Sequence, residues 1–312
     1  MGFVTVDPLS DLVGSAPSFE ELLGRLPRVA QAREPVLIHG ETGSGKDRIA
    51  LALHALGPRA AGPFVVVRCG AFSEGRLELE LFGEEMIPPV PGRLVQADGG
   101  TLFLDEIESL TPRAQGVLLR VLEDGTYEGS GLDVRVIAAT HESLEPRVRA
   151  GTFRADLFHR LGVFTLEVPA LRERREDILP LAEHFLRLHQ REVPTPSRLA
   201  ATTTAAMLAF DWPGNVRELE SAMVRGLHYA QNGVIEPQDC GLPEQGATAS
   251  VGAHTYRQLK RQVIDAFDRQ YLTRLMTEHR GNVSRAARAA GKERRDLGKL
   301  LKRHGFDPRK FA

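Results

Sequence analysis

The sequence predicts an α/β domain with a parallel sheet, followed by a small helical domain and a C-terminal all-helical module. Short apolar runs typical of buried strands alternate with helical stretches up to residue 168, and helical periodicity alone continues to residue 240. A segment rich in Gly, Pro, Ser and Ala then precedes a strongly basic end. We therefore expect domains at residues 1–168, 169–240 and 255–312, with a flexible linker at 241–254.

A glycine-rich loop between a strand and a helix carries the strongest functional signal. Residues 36–38 predict the strand, residues 48–56 predict the helix, and the glycines between them let backbone N–H groups point inward. The spacing G-x-x-x-x-G-K is that of a phosphate-binding P-loop, although Asp47 replaces the usual Mg²⁺-ligating hydroxyl. A glycine turn without a ligand is the alternative. The expected nucleotide-binding residues are Gly40, Glu41, Thr42, Gly43, Ser44, Gly45, Lys46 and Asp47.

The elements around this loop follow from the same patterns. Ser18 is expected to cap an amphipathic helix carrying Phe19, Leu22, Leu23 and Leu26. Residues 63–69 predict a second buried strand and residues 71–82 a helix. The stretch at 84–92 holds three prolines in four positions, which predicts a short, stiff loop.

Two adjacent acids end the next predicted strand, at residues 101–104. In P-loop enzymes the first such acid holds Mg²⁺ and the second polarises the attacking water, which assigns Asp105 and Glu106 to these roles. The alternative is an acidic N-cap of a helix at 109–122. A further buried strand, 134–140, brings Thr140 beside the terminal phosphate. His141 follows it and could equally be an ordinary surface histidine.

Arginines and helices follow this strand. Arg154 and Arg160 could stabilise transferring phosphate charge, often from a neighbouring subunit, but surface salt bridges explain their spacing equally well. Helices are expected at 177–188, 200–210 and 216–229, with a turn around the only tryptophan, Trp212.

The C-terminal module is expected to bind a polyanion. Residues 255–312 contain 11 Arg and 5 Lys against 4 Asp and 2 Glu, a net charge of +10 in a chain whose total is −1. A long helical stripe is followed by helices at 283–290, capped by Asn282, and at 292–303, which suggests a helix-turn-helix. A merely solvated basic helix pair is the alternative. The expected DNA-contacting residues are Lys292, Arg294, Arg295, Lys299, Lys302 and Arg303.

Composition excludes several other classes of protein. The chain has 312 residues, 42% apolar and 26% charged, which is ordinary for a soluble globular protein. Its two cysteines form neither a disulfide framework nor a metal-binding pattern and fit a reducing compartment. Neither a run of 18 apolar residues nor a signal-peptide core is found. We expect a cytoplasmic protein without a membrane partner.

In this order, these motifs resemble the bacterial enhancer-binding proteins, the AAA+ activators of sigma-54 RNA polymerase. The likeness covers residues 19–312. It includes a Walker A motif at 40–47, a Walker B motif at 97–107, sensor I at 135–140, a Leu-Arg-Glu-Arg signature at 171–174, sensor II at 212–220 and a Fis-type DNA-binding domain.

The resemblance implies a function and roles for single residues. It implies an AAA+ ATPase that uses ATP and Mg²⁺ and forms a hexamer or heptamer ring. The long helical stripe before the two short C-terminal helices could, in addition, pair with its twin in a dimer. Arg154 and Arg160 match the arginine fingers that reach a neighbour's ATP, and Arg217 matches the nucleotide-sensing arginine. DNA is the expected partner, with RNA polymerase or another regulator as a further one.

Several departures from the family pattern bear on function. The polymerase-contact loop Gly-Ala-Phe-Thr-Gly-Ala is replaced by the shorter segment 84–91, and no N-terminal sensory domain is expected. Arg68 stands where the family has an Asn thought to restrain the catalytic glutamate, and His141 replaces the Asn of sensor I. Arg68 could pair with Glu106 and hold it off the water. Three functions stay open: an ATP-dependent regulator acting without sigma-54, a DNA-bound scaffold or repressor without turnover, and an ATPase remodelling another protein through 84–91.

Overall fold

A computed structural model of the chain describes residues 12–84, 90–190, 197–230, 232–243, 272, 275–276, 279, 281–290 and 294–303. The chain divides into two compact units, Met1–Gln245 and Gly246–Ala312. Within the described ranges, every helix is too short or too polar to cross a bilayer.

A parallel sheet forms the centre of the first unit, as predicted, and it has five strands. In chain order its strands are β1 (Val36–His39), β2 (Phe64–Arg68), β5 (Thr101–Asp105), β8 (Arg135–Thr140) and β9 (Phe164–Glu167). Their order across the sheet is β2-β5-β8-β1-β9. The carboxyl ends of β1, β5 and β8 therefore lie side by side, which is the edge where ligands bind in open α/β sheets.

Helices cover both faces of this sheet. They are α1 (Pro17–Ala30), α2 (Lys46–Ala55), α3 (Glu74–Phe82), α4 (Arg93–Gln96), α5 (Pro112–Asp124), α6 (Glu145–Arg149) and α7 (Ala155–Leu161). One apolar cluster, which includes Leu102, Leu104 and Leu118, fills one face, and another, which includes Phe103, Ile38 and Leu53, fills the other. The alternation of buried side chains along β5 supplies both clusters.

Three sequence expectations in this domain need correction, and one strand was missed. Helix α1 begins at Pro17 after Ala16, so Ser18 lies inside the helix and caps nothing. Strand β2 is not fully buried, since it lies at the sheet edge and leaves Val66 44% exposed. Helix α5 is capped by Thr111, whose side chain accepts the N–H of Ala114, and this removes the alternative that Asp105 and Glu106 serve as its N-cap. Strand β9 was not predicted.

The proline-containing segment at 84–91 is only partly described. Its flanks pair as two short antiparallel strands, β3 (Gly83–Glu84) and β4 (Val90–Pro91). The residues between them, 85–89, lie outside the described part of the chain. A second short antiparallel pair, β6 (Thr126–Tyr127) and β7 (Ser130–Gly131), follows α5.

A helical lid completes the first unit, as predicted. It contains α8 (Ile178–His189), α9 (Ala201–Ala209) and α10 (Asn215–Tyr229), together with an unpredicted parallel pair of short strands, β10 (Arg198–Leu199) and β11 (Val234–Ile235). Trp212 is fully buried in the lid core and donates its indole N–H to the carbonyl of Met207 at 2.9 Å. The buried turn around this residue therefore sets how α10 enters the lid.

In the second unit the structure describes two short helices, α11 (Val283–Ala289) and α12 (Arg294–Arg303). The side chain of Asn282 accepts the N–H of Arg285 and caps α11, as predicted. Leu297 and Leu301 pack into a small apolar cluster with Leu272 and Met276. Most of the predicted linker and of the long helical stripe lies outside the described residues.

Candidate nucleotide-binding site

The loop at residues 40–45 has the geometry of a phosphate cradle. Gly43 and Gly45 adopt φ values of +78° and +102°, which side chains rarely tolerate. Gly45 then opens α2, whose first residue is Lys46. Backbone N–H groups at a helix start and an adjacent lysine attract anionic phosphate groups.

Lys46 is 8% exposed, and its ammonium folds back over this loop. Nζ donates to the carbonyls of Gly40 at 2.7 Å and Glu41 at 3.0 Å. Desolvation lowers the pKa of Lys46, and the carboxylates of Asp105 and Glu108 oppose that shift. In the same loop the buried hydroxyl of Ser44 has no hydrogen-bond partner among the described residues. Both groups suit a phosphate ligand, because each has hydrogen-bonding capacity aimed at the cradle.

The lid holds the loop directly. Arg172 donates to both carboxylate oxygens of Glu41, at 2.6 and 2.7 Å, and Asn215 donates to Glu41 and to the carbonyl of Thr42, both at 3.1 Å. The hydrogen bonds from Arg172 and then Asn215 lower the pKa of Glu41 to about 2. Gly43 lies so close to the lid that a Cβ there would come within 2.3 Å of the Gly214 carbonyl.

A buried ion pair extends this connection to the start of the described chain. The guanidinium of Arg174 donates to the carbonyl of Ser44 at 2.9 Å and lies 4.0 Å from the carboxylate of Asp177. That carboxylate accepts the backbone N–H groups of Ser15 at 2.6 Å and Ala16 at 2.9 Å. Both charged side chains are almost fully buried. The phosphate loop, the lid and the segment before α1 therefore share one polar network.

A cleft of about 350 Å³ opens between the loop, the sheet and the lid. From the loop and its helix it is lined by Thr42, Gly43, Gly45, Lys46, Asp47 and Arg48. From the strand ends it is lined by Arg68, Asp105, Glu106 and His141. The lid adds a largely apolar wall, suited to a nucleotide base, of Leu181, Phe185, Leu188 and Val216, with His184, Arg217 and Glu220 beside it.

The acids at the end of β5 stand in this cleft. Asp105 ends the strand, and its carboxylate accepts the N–H of Glu106 at 3.2 Å. Glu106 has a left-handed backbone with φ of 57°, a strained conformation that concentrates at functional sites. Its carboxylate lies against Gly70, where a Cβ would come within 1.9 Å of Oε2. The glycine therefore leaves room for the glutamate beside the phosphate loop.

Arg68 and His141 also line the cleft, but neither pairs with Glu106. In the described residues no ion pair within 4.0 Å joins Arg68 and Glu106, so the pairing suggested by the sequence is absent. His141 instead has Nδ1 2.6 Å from Oε1 of Glu108, a carboxylate whose side chain is 3% exposed.

Several predicted site residues lie outside the cleft. The hydroxyl of Thr140 donates to the carbonyl of Glu142 at 2.9 Å and accepts the N–H of Glu142 at 3.3 Å. Thr140 lines a different cavity. Arg154 pairs with Asp156 at 2.8 Å, and Arg160 donates to the carbonyl of Leu122 at 2.7 Å. Both arginines lie on the exposed surface of the sheet domain, so within one copy they do not reach the loop.

The predicted DNA-contacting residues lie on or beside α12. Arg294, Arg295 and Lys299 are exposed, on the helix whose Leu297 and Leu301 are buried. Lys292 lies outside the described residues, as do the side chains of Lys302 and Arg303.

Sequence reasoning missed part of the site. It did not assign Arg172, Arg174, Asn215 or Glu108, although the first three lie in stretches singled out as family signatures. It interpreted Leu181, Phe185 and Leu188 as a packing stripe, whereas Leu188 is 56% exposed and lines the cleft. The sequence carries no signal that separates Leu188 from the buried members of the stripe, because helical spacing is the same for all of them.

Comparisons with known proteins agree with this geometry. The family model of the sigma-54 interaction domain matches residues 12–167, and that of the AAA+ ATPase lid domain matches residues 172–259. The transcriptional regulatory protein ZraR of Salmonella typhimurium is 38% identical over 305 residues, which are 94% of this chain and 68% of that protein. The DNA-binding transcriptional regulator NtrC of Escherichia coli is 37% identical over 334 residues, covering 96% and 71%.

A solved structure gives the same result. NtrX from Brucella abortus in complex with ATP superimposes with a TM-score of 0.70 at 34% sequence identity, covering 95% of this chain and 71% of that one. The chain thus spans roughly two thirds of the length of these three relatives.

Proposed function

Because the chain belongs to the sigma-54 interaction domain family, with an AAA+ lid, we propose that it is an ATP-hydrolysing, DNA-binding transcription regulator. The observation that carries the proposal is the placement of Lys46, Asp105 and Glu106 in one cleft closed by the lid. That NtrX was solved with ATP supports ATP as the nucleotide here.

Each residue of the cleft has a role in this proposal. Loop N–H groups and Lys46 bind the phosphates, and the apolar lid wall takes the base, with Arg217 at the phosphate side. Asp105 would hold Mg²⁺, an ion that neutralises phosphate charge. The described residues contain no group of three or more metal-ligating side chains, so phosphate oxygens and water would complete its shell. Glu106 orients and deprotonates the attacking water.

The proposal places a second copy of the chain at the site. Arg154 and Arg160 are exposed outside the cleft, and a closed ring of six or seven copies would bring them to a neighbour's ATP. Arg160 donates to a carbonyl on the surface of the sheet domain and Arg154 to a neighbouring acid. Both guanidinium groups can exchange these partners for a phosphate at small cost, since exposed pairs are weak.

DNA binding is proposed for the second unit. Residues 255–312 carry a net charge of +10, and Arg294, Arg295 and Lys299 stand on the exposed face of α12. Phosphate contacts by these side chains would make affinity fall steeply with salt. We further propose that the chain acts on transcription without direct remodelling of sigma-54 polymerase, since the family resemblance leads us to expect a longer polymerase-contact loop where segment 84–91 stands.

A regulator that binds nucleotide without turnover is the second candidate. Two observations favour it: Arg68 and His141 line the cleft next to Glu106, where the family resemblance leads us to expect two asparagines. In that case the nucleotide acts as a structural switch for a DNA-bound scaffold or repressor. A third function, remodelling of another protein, would require segment 84–91 to contact it.

Steady-state turnover separates the first two candidates. We expect the purified chain to hydrolyse ATP at a rate per molecule that rises steeply with protein concentration, because sites form only between copies. Glu106→Gln should bind ATP normally and lower turnover at least about 100-fold, since it removes the base but keeps the side-chain shape. If the unmodified chain binds ATP but hydrolyses it no faster than Glu106→Gln does, the ATPase proposal is wrong, and the regulator that uses nucleotide as a structural switch remains.

A further inference from the structure

We propose that Glu41, Arg172 and Asn215 form a clasp between the phosphate loop and the lid, and that this clasp sets how slowly a bound nucleotide leaves the cleft. The inference rests on the nucleotide site proposed above, and it adds a control over nucleotide exchange to that site. Arg172 and Asn215 act through Glu41 and the loop backbone, which makes them positioning residues.

The lid binds three consecutive carbonyls of the phosphate loop. Its donors, each given with the carbonyl that accepts from it, are the side chain of Asn215 with Thr42 at 3.1 Å, the backbone N–H of Arg217 with Gly43 at 3.3 Å, and the side chain of Arg174 with Ser44 at 2.9 Å. Each carbonyl shares a planar peptide group with the N–H of the next residue. A lid that holds these carbonyls therefore also fixes the direction of the loop N–H groups that are proposed to bind phosphate.

The side-chain amide of Asn215 is used completely in this contact. Asn215 is fully buried, and its Nδ2 donates to the Glu41 carboxylate and to the Thr42 carbonyl, both at 3.1 Å. Its Oδ1 accepts the N–H of Leu171 at 2.8 Å. The backbone at Asn215 is left-handed, with φ of 53°, a conformation that is uncommon outside glycine. Because a buried amide is costly to leave unpaired, these three bonds hold Asn215 in that conformation.

Arg172 reaches the same carboxylate from the exposed side. Its guanidinium donates to both oxygens of Glu41, and Oε2 of Glu41 accepts from Arg172 and from Asn215 at once. The side chains of Arg172 and Glu41 are 39% and 42% exposed, and exposed ion pairs are usually weak. A bidentate pair within a network is the exception. Since one oxygen serves both donors, the loss of either donor should change what the other contributes.

The clasp lies where the cleft has to open. The loop supplies the phosphate cradle, and the lid supplies the apolar wall that is proposed for the base. Moving that wall away from the loop breaks the bonds from Arg172 and Asn215 to Glu41, so the strength of these bonds adds to the barrier for nucleotide release. The described lining of the cleft includes none of the three clasp residues. The clasp should therefore act on ADP and ATP alike.

Release rates measured by stopped-flow fluorescence test the proposal, with labelled ADP and a labelled non-hydrolysable ATP analogue. Arg172→Gln removes the bidentate contact, and Asn215→Gly removes the amide while glycine keeps the left-handed backbone. Each variant should raise the dissociation rate of both nucleotides about 3- to 10-fold, the size of one net hydrogen bond, and change the association rate less than about twofold. The double variant should raise it by less than the product of the two single effects, because both donors share one oxygen.

Arg175→Gln is the matched control. Arg175 belongs to the same lid and donates to Asp211 at 2.9 Å in an exposed pair away from the phosphate loop, so its loss should leave both rates unchanged. Urea unfolding followed by Trp212 fluorescence should give Arg172→Gln and Arg175→Gln the same midpoint, since each removes one exposed guanidinium from the lid. Faster release at an equal midpoint separates positioning from a general loss of stability.

Each outcome decides the proposal. If Arg172→Gln binds both nucleotides and releases them at the rate of the unmodified chain, this inference is wrong while the nucleotide site stands. The same holds if the two single effects multiply in the double variant, or if only the ATP analogue is released faster. If the unmodified chain binds neither nucleotide, the proposed function fails as well. Should Asn215→Gly unfold, the exposed Arg172→Gln still decides.

Discussion

Replacing Lys46 with alanine should weaken ATP binding about 10- to 100-fold, which corresponds to the roughly 1.5–3 kcal/mol of a charged hydrogen bond. Turnover should fall below detection. The ammonium group of Lys46 lies within 3.0 Å of two carbonyl oxygens of the phosphate loop, and lid residues line the same cleft. Titration with a fluorescent ATP analogue measures the loss. Arg113→Ala, which removes an exposed charge paired with Glu78, should leave binding unchanged.

The contact between Lys46 and ATP can also be tested in the unmodified chain, by chemical labelling of this lysine. Lys46 is the only lysine among residues 1–254, whereas residues 255–312 contain five. An amine-acylating reagent, followed by mass spectrometry, therefore reports on the phosphate loop without interference from the rest of the first unit. ATP should protect Lys46 and leave the N-terminal amine unaffected. Equal labelling of Lys46 with and without ATP would contradict the assignment.

Replacing Asp177 with alanine should destabilise the first unit by about 3–5 kcal/mol, because it leaves the buried guanidinium of Arg174 without its carboxylate. Two backbone N–H groups, those of Ser15 and Ala16, also lose their acceptor. Urea unfolding followed by the fluorescence of Trp212, the only tryptophan and a buried one, measures the change.

A surface pair in the same lid gives the matched control. Asp211 accepts from Arg175 at 2.9 Å, but both side chains are largely exposed, so Asp211→Ala should cost less than about 1 kcal/mol. Asp177→Ala with no larger effect than this control would show that the network does not connect the lid, the phosphate loop and the segment before α1.

The sequence predicted most of the fold because periodicity and motif spacing are local signals. The runs at 36–38, 101–104 and 134–140 each became a central parallel strand. Strand β9 was missed because it is defined by its long-range pairing with β1, and four residues of ordinary composition do not indicate such a pairing. The cap of α1 was misplaced because Pro17 starts the helix without a side-chain cap, and Ser18 is merely the nearest residue of capping type.

The site was predicted less completely, for a physical reason. Motif spacing alone identifies Lys46, Asp105 and Glu106, and the structure brings these three residues together in one cleft. Their partners act across long sequence separations: Arg172 reaches Glu41 from 131 residues away, and Asp177 reaches Ser15 from 162. The strained backbone of Glu106 and the burial of Glu108 depend on tertiary packing, which spacing does not encode.

The central claim is that the cleft becomes an active site only when a second copy contributes its arginines. Turnover by mixed variants tests it most directly: Glu106→Gln lacks the base and Arg160→Ala lacks the arginine given to the neighbour, so each should be inactive alone. Mixed in equal amounts, they should regain turnover, because about one site in four of a random ring pairs an intact base with an intact arginine. If both variants still bind ATP but their mixture is as inactive as each variant alone, the claim that two copies share the active site is wrong.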